Sequence, residues 1–346
     1  MGMRMEAFGN TAEGEAAKLY IFTNSRNTEM AVSDYGATLV RVMVQDQNGD
    51  PCDVVLGYDD AAGYENGGYF FGAVVGRNAN RIGTASFAIN GTQYQLTEND
   101  NGNNLHSGPD FYSKRMWQVE DTTENSVTLS LFSPDGDQGY PGNVTVGVTY
   151  TLTEENEVQI EYRGIPDADT ILNMTNHSYF NLNGHASGTI LAQEIMIDAE
   201  AFTNADQESI PTGEIVSVAG TPMDFNAAKA VGRDIEADFE ALKLGCGYDH
   251  NWVLGNEGKY ARVAQMTSES TGIKMDVCTD LPGIQLYTGN FITDERGKND
   301  VHYRRRQGLC FETQYFPDAI HKSNFASPVC GAGETYYTKT SYRFYL

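Results

Sequence analysis

The chain has 346 residues, 40% hydrophobic and 20% charged, a globular composition long enough to bury a sizeable core. Its 23 Lys and Arg against 47 Asp and Glu give a formal charge of −24. That balance excludes a surface built for nucleic acid or anionic membranes and suits a neutral ligand.

Residues 1–9 lack the apolar core of a signal peptide, and no run reaches membrane-spanning length. Cys52, Cys246, Cys278, Cys310 and Cys330 are odd in number and form no CxxC pair. Reduced thiols in a cytoplasmic protein are the simplest reading.

Taken in order, the pattern predicts strands over 17–24 and 30–46, the second bent or bulged at Tyr35-Gly36-Ala37, and a short one over 53–58. Phe87 and Ile89, then Asn90-Gly91, then Gln93 to Leu96 read as a hairpin with a type I′ turn. Further strands are predicted over 126–132, 143–152, 157–165, 170–174, 190–197, 214–219, 260–266, 272–279, 284–291, 308–316 and 335–345. Turn-rich joints separate them at about the spacing of sandwiches and barrels. One segment differs. Val231, Ile235, Phe239 and Leu242 recur at helical steps and predict a helix over 227–243, with Asn226 as its cap and Gly245 and Gly247 ending it. No linker, composition shift or repeat divides the chain, so one all-β domain over 1–346, a large antiparallel β-sandwich, is expected.

In the strand over 308–316, Leu309, Phe311 and Thr313 fall on one face and Cys310, Glu312 and Gln314 on the other. A carboxylate there must face solvent, meet a partner or line a cleft where its charge is used. Residues 76–83 hold Arg77, Asn78, Asn80 and Arg81, a mixture of fixed donor forks and amides suited to sugar hydroxyls. By itself such a cluster is as readily turn and surface. His106 follows Asn103-Asn104 in a polar loop, where an ordinary surface role is the commoner one. His177 stands among Thr175, Asn176, Ser178 and Tyr179, groups able to fix its orientation, and histidine is the side chain best placed for proton transfer near neutrality. A metal is the rival reading, but neither histidine has a second one three to five residues away. Asp249 beside Tyr248 and Trp252, and Gln285 on an alternating strand, complete a set of amides, carboxylates and aromatics of the kind a carbohydrate pocket uses.

The segments GRNANRI, NNLHSG, GYPGN, TNHSYFNL, GYDHNW, PGIQLYTGNF and ETQYFPDA resemble, in order, the motifs of the aldose 1-epimerases, from about Tyr35 to Tyr336. The resemblance implies a β-sandwich with an open cleft, no cofactor and no metal. It implies Glu312 as general base, His177 as general acid, and His106 assisting at the ring oxygen. Asn80, Arg81, Asp249 and Gln285 would hold the sugar hydroxyls. The working state is expected to have Glu312 deprotonated and His177 protonated. Ser107, His321 and Ala332 depart from the family's usual residues. The partner implied is a small aldose such as galactose or glucose, with neither nucleic acid nor membrane, for a monomer or homodimer. Other readings remain: a hexose-6-phosphate epimerase using Arg77, Arg81 and the Arg304-Arg305-Arg306 run, a glycosidase using Asp249 and Glu312, and a non-catalytic sugar-binding module.

Overall fold

The computed structural model describes residues 2–346. A nine-stranded antiparallel sheet runs in spatial order Gln118–Thr122, Ser126–Ser133, Val144–Leu152, Glu157–Gly164, Tyr336–Tyr345, Lys274–Thr279, Ala261–Thr267, Glu194–Ile197 and Lys229–Ala230. A six-stranded sheet runs Tyr179–Phe180, Leu309–Gln314, Gly283–Tyr287, Asp249–Val253, Ala201–Ala205 and Pro211–Ser217. A five-stranded sheet takes the N-terminal strands in chain order, from Gly2–Asn10 to Pro51–Asp53.

The period-2 patterning dictates how the two larger sheets meet. Val144–Leu152 alternates buried and more exposed positions along its whole length, so one face points inward. Leu309–Gln314 is buried at every position, which only a strand covered on both faces can be. Leu309 and Phe311 share one apolar cluster with Ile160, Val277, Tyr342 and Phe344 of the nine-stranded sheet. Polar contacts reinforce that seam: Tyr342 donates to the Phe311 carbonyl at 3.0 Å, and the Thr313 and Thr340 hydroxyls meet at 2.5 Å. This is the expected sandwich.

The predicted hairpin forms between Ser86–Ile89 and Thr92–Gln95. Asn90 and Gly91 have φ of 52° and 79°, the two left-handed residues a type I′ turn requires. The stretch predicted over 30–46 divides into Glu29–Ser33 and Thr38–Gln45, paired antiparallel. Tyr35-Gly36-Ala37 therefore reverses the chain rather than bending it. The strand predicted over 53–58 is only Pro51–Asp53 in its sheet, with an isolated bridge at Val55. Gly2–Asn10, Gln118–Thr122 and Ala201–Ala205 are strands that the pattern did not single out.

The helix expected over 227–243 is a correction. Only Glu240–Leu244 is helical. Upstream, Lys229–Ala230 adds an edge strand to Glu194–Ile197, and the Val231 and Gly232 amides donate to the Gln193 and Leu191 carbonyls at 2.9 and 2.8 Å. Val231 and Ile235 are buried as predicted, but they reach the core from turns. Sheet hydrogen bonds have overridden a weak helical period, and Asn226 donates to the Ala199 carbonyl at 3.0 Å instead of capping a helix. Gly245 does end the short helix, donating to the Ala241 carbonyl at 3.0 Å.

Candidate active site

The register of the six-stranded sheet assembles the site. Glu312 lies opposite Gln285, Gln285 opposite Asn251, and Tyr179 opposite Cys310. Because Leu309 and Phe311 face the core, Cys310, Glu312 and Gln314 face the other way. The alternation read from the sequence holds. The solvent-facing alternative for Glu312 does not, since its residue is 2% exposed.

Above this strand lies a cavity of about 260 Å³ lined by Asn80, Arg81, His106, His177, Asp249 and Glu312 together with Tyr69, Phe70, Tyr179, Tyr287 and Phe291. That volume is near the small end of the range for ligand pockets and suits a single sugar ring. Gln285 sits beneath, its amide donating to Asp249 at 2.8 Å. All seven residues singled out from the sequence therefore meet in one place.

Each reaches the cavity for a local reason. His177 ends the strand Thr175–His177, which pairs with Ala73–Val75. The chain then crosses to the six-stranded sheet through Tyr179–Phe180. His177 Nε2 lies 3.5 Å from Glu312 Oε1. Asn80 and His106 brace each other: the His106 amide donates to the Asn80 carbonyl at 2.9 Å, and the Asn80 amide donates to His106 Nδ1 at 3.1 Å. Both are left-handed, with φ of 63° and 53°, as is Ser107 at 58°. Such backbone is costly outside glycine and concentrates at functional sites. Ser107, atypical in sequence, is buried and secures this turn. Its hydroxyl accepts from the Asn78 amide at 2.9 Å and lies 3.0 Å from the Tyr140 hydroxyl. Arg81 is held by Asp100 at 2.7 Å. His321 binds Asp318 at 2.6 Å, and Asp318 in turn accepts from the Gly83 amide at 2.9 Å.

Two electrostatic features decide what the site can do. With Nδ1 occupied by the Asn80 N–H, neutral His106 must carry its proton on Nε2, making it a donor toward the cavity. Burial, then His177 and Arg81, hold it well below the ordinary imidazole range. Burial also pushes Glu312 well up, assisted by Asp249 and opposed by Arg81. It pushes His177 down to about 4, against a hydrogen bond with its own backbone. The desolvated cleft thus favours protonated Glu312 beside neutral His177. This reverses the charge state expected from the sequence, and its cause is desolvation of both groups. The number of protons on the pair is nevertheless the same, one.

His106, His177 and Glu312 place potential ligand atoms within 4.8 Å of one another, so a metal is geometrically conceivable. The donor set does not fit. A ligating His106 Nε2 would have to move its proton to Nδ1, against the Asn80 N–H. His177 Nδ1 meets the Cys310 sulfur at 3.4 Å, where metal sites usually supply a carboxylate or carbonyl.

The other cations lie elsewhere. Arg77 is fully buried, donating to Ser133, Thr170 and the carbonyls of Ser133, Pro134 and Pro141. Arg304 pairs with Asp294, Arg306 with Glu236, and Arg305 donates to the Cys246 carbonyl. Phe70, which packs against both site histidines with ring centroids 5.0 and 5.7 Å away, was not singled out. Tyr69-Phe70-Phe71 reads as one apolar run, and only a φ of 58° at Phe70 turns its ring to the cleft while Phe71 enters the core. Nothing in the residue types signals that.

The family model for aldose 1-epimerase matches residues 18–343. The galactose mutarotase of Bos taurus is 37% identical over 338 residues, 97% of each chain. The aldose 1-epimerase of Escherichia coli K12 is 33% identical over 96% of each. Among solved structures, an aldose epimerase homologue from C. elegans superposes with a TM-score of 0.88 at 30% identity, covering 95% of this chain and 99% of that one. With the fold, the cleft and the ordered motifs all in agreement with them, this chain belongs to the aldose 1-epimerase family.

Proposed function

We propose that this protein interconverts the α- and β-anomers of a free aldohexose, galactose or glucose, by opening and reclosing the ring, with Glu312 as base and His177 as acid. Glu312 takes the proton of the C1 hydroxyl while His177 protonates the ring oxygen, and the C1–O5 bond breaks as C1=O forms. After rotation about C1–C2 the transfers reverse on the other face. His106 Nε2–H donates toward the ring oxygen or its neighbouring hydroxyl, and Asn80, Arg81, Asp249 and Gln285 bind hydroxyls. Phe70, Tyr179 and Tyr287 supply apolar walls and exclude water.

The observation that carries this reading is the Glu312–His177 contact at 3.5 Å on the floor of a cleft walled by aromatic rings. Ring opening converts ionised Glu312 and charged His177 into protonated Glu312 and neutral His177, the form that burial favours. The desolvated cleft therefore suits the enzyme state that accompanies the open aldehyde, and the bound sugar's hydroxyls must support the charged state that starts each turnover.

A free sugar fits better than a sugar phosphate, because Arg77 and the Arg304–Arg306 run have other partners and Arg81 is paired with Asp100. The same reading takes the whole chain as one catalytic domain, since the cleft draws on residues from Tyr69 to Glu312. Five free cysteines support a cytoplasmic setting. Among the described residues no helix is long and apolar enough to cross a membrane. Monomer and homodimer are both compatible with the cleft, which uses one chain's residues.

The test is polarimetry on freshly dissolved α-D-galactose in a weakly catalysing buffer. We expect rotation to decay in proportion to enzyme, and Glu312→Gln and His177→Asn each to lose on the order of 10²–10⁴ in kcat. Near-native turnover in either variant removes that residue's role. Release of reducing sugar from a galactoside by the native enzyme would favour the glycosidase alternative.

A further inference from the structure

Among the described residues Arg81 is the one lysine or arginine that lines the cavity, and its charge is met by a carboxylate from outside the cavity wall. Asp100 accepts from Arg81 Nε at 2.7 Å, while the two terminal nitrogens of the guanidinium have no hydrogen-bond partner among the described residues. The pair is mostly withdrawn from water, its side chains 15 and 21% exposed, so its charges are screened less than those of a surface pair.

The chain delivers that carboxylate with little freedom. Asn101 and Gly102 are left-handed, with φ of 51° and 81°, and reverse the backbone so that the Asp100 and Asn103 amides donate to each other's carbonyls at 3.1 and 2.8 Å. Asn99 adds a rung with its side chain, donating to the Leu105 carbonyl at 3.0 Å and accepting from the Leu105 amide at 2.7 Å. Leu105 lies opposite Arg81 in a two-residue ladder. The Asp100 carboxylate builds none of this. Among the described residues it meets Arg81 and, at 3.2 Å, the Asn101 side chain, but no backbone N–H. The turn's hydrogen bonds therefore do not depend on it.

We propose that Asp100 is a specificity-determining residue: it fixes the Arg81 guanidinium toward neutral sugar hydroxyls and, by pairing its charge, turns away anionic sugars such as uronates and sugar phosphates. A guanidinium is always charged, and its planar fork matches a carboxylate or a phosphate. Unpaired in a cavity walled by aromatic rings, it would draw in any small anion. Neutral hydroxyls need the fork's N–H groups and not its net charge. Engagement at Nε meets both conditions. The plane is held, the terminal donors stay free, and an approaching anion meets the Asp100 carboxylate along with the arginine. The field of the pair reaches a second cavity residue: burial raises Asp249, Arg81 and the Gln285 hydrogen bond lower it, and Asp100 raises it again.

This inference rests on the cleft being the sugar site, and the experiment separates the two because it reads equilibrium binding, not turnover. Asp100→Asn removes the charge and keeps an acceptor for Arg81 Nε. The native protein, this variant and the double variant Asp100→Asn/Arg81→Met, each checked for fold by circular dichroism, are titrated calorimetrically with inorganic phosphate and with galactose at one ionic strength. Inorganic phosphate is small enough to meet Arg81 wherever the guanidinium opens on the cavity. We expect Asp100→Asn to bind phosphate at least about tenfold more tightly than the native protein, and galactose more weakly by a few-fold. The double variant should lose the gain in phosphate binding. Unchanged phosphate affinity in Asp100→Asn would overturn the proposal, and so would a gain that survives Arg81→Met, which would be an effect of overall charge. If Asp100→Asn does not fold, Asp100→Ser is read in its place. Absence of mutarotation by the native protein would refute the proposed reaction and leave the phosphate result to stand or fall by itself.

Discussion

Replacing Glu312 by Gln should make the protein more stable while making it inactive. The carboxyl is buried, its Oε2 has no hydrogen-bond partner among the described residues, and burial followed by Asp249 pushes it well above its ordinary 4.5. A carboxyl raised in the folded state binds a proton that the unfolded chain has released. The folded state is therefore penalised as pH rises above 4.5, by about 1.4 kcal/mol per pH unit until the folded value is passed. At pH 7 the ceiling is roughly 3 kcal/mol. Glutamine does not titrate, but its NH₂ inherits the unpartnered position at a cost of about 1–2 kcal/mol. The net gain is at most about 1–2 kcal/mol, no more than a few degrees in Tm at this chain length. Calorimetry of both proteins from pH 4.5 to 8 checks it. The variant should melt higher at neutral pH, and its advantage over the native protein should shrink steadily toward pH 4.5. A variant that melts lower at pH 7.5, or a difference independent of pH, would refute the argument that this carboxyl is strained.

The kcat/KM profile should fall on the acid side near 4, where a second proton enters the Glu312–His177 pair, and on the alkaline side where its one proton is lost from Glu312, above that carboxyl's ordinary range. An acid limb centred near 6.5 would mean that His177 is solvated. Arg77→Met should lower stability by roughly 3–5 kcal/mol, because it leaves several buried carbonyls unpaired, seen as a lower urea midpoint; an unchanged midpoint would contradict the structural role given to Arg77. Hexose 6-phosphates should be poor substrates, with kcat/KM at least tenfold below that for galactose. Equal or better use of the phosphate would return the arginines to the site. Treatment with a chelator should leave the native rate intact, and a loss restored by a divalent cation would reverse the reading of His106 as a fixed Nε2–H donor.

How much of this was legible depended on the range of the interaction. Alternation along 308–316 placed Glu312 opposite the core face because side-chain period is a local property of a strand. Asn90-Gly91 specified its turn because only left-handed residues fit there. The helix over 227–243 failed for the complementary reason. Val231 and Ile235 keep their burial, but the Leu191 and Gln193 carbonyls claim the backbone from far along the sequence. Phe70 was hidden because one backbone torsion separates its ring from that of Phe71. The protonation order of Glu312 and His177 was unreadable because desolvation belongs to the assembled cleft and not to either residue. The ordered motifs located every histidine, amide and charged residue that lines the cavity, whereas the residue types alone had left each of them an ordinary structural alternative.

The strand Leu309–Gln314 has its core residues and its cleft residues interleaved one by one, and this bears on how such an enzyme can diversify. Inserting or deleting a single residue there would exchange Glu312 with Phe311 or Thr313, sending a carboxylate into the core and an apolar or hydroxyl group into the cleft in one event. Selection for chemistry and selection for folding therefore act on the same six positions, and no single step improves one at leisure from the other. Asn80, Arg81 and His106 sit outside this lattice, on connections paired only through the two-residue ladder of Arg81–Ile82 with Asn104–Leu105. Changes in sugar preference should accumulate in those connections, while the strand that carries Glu312 stays fixed in length.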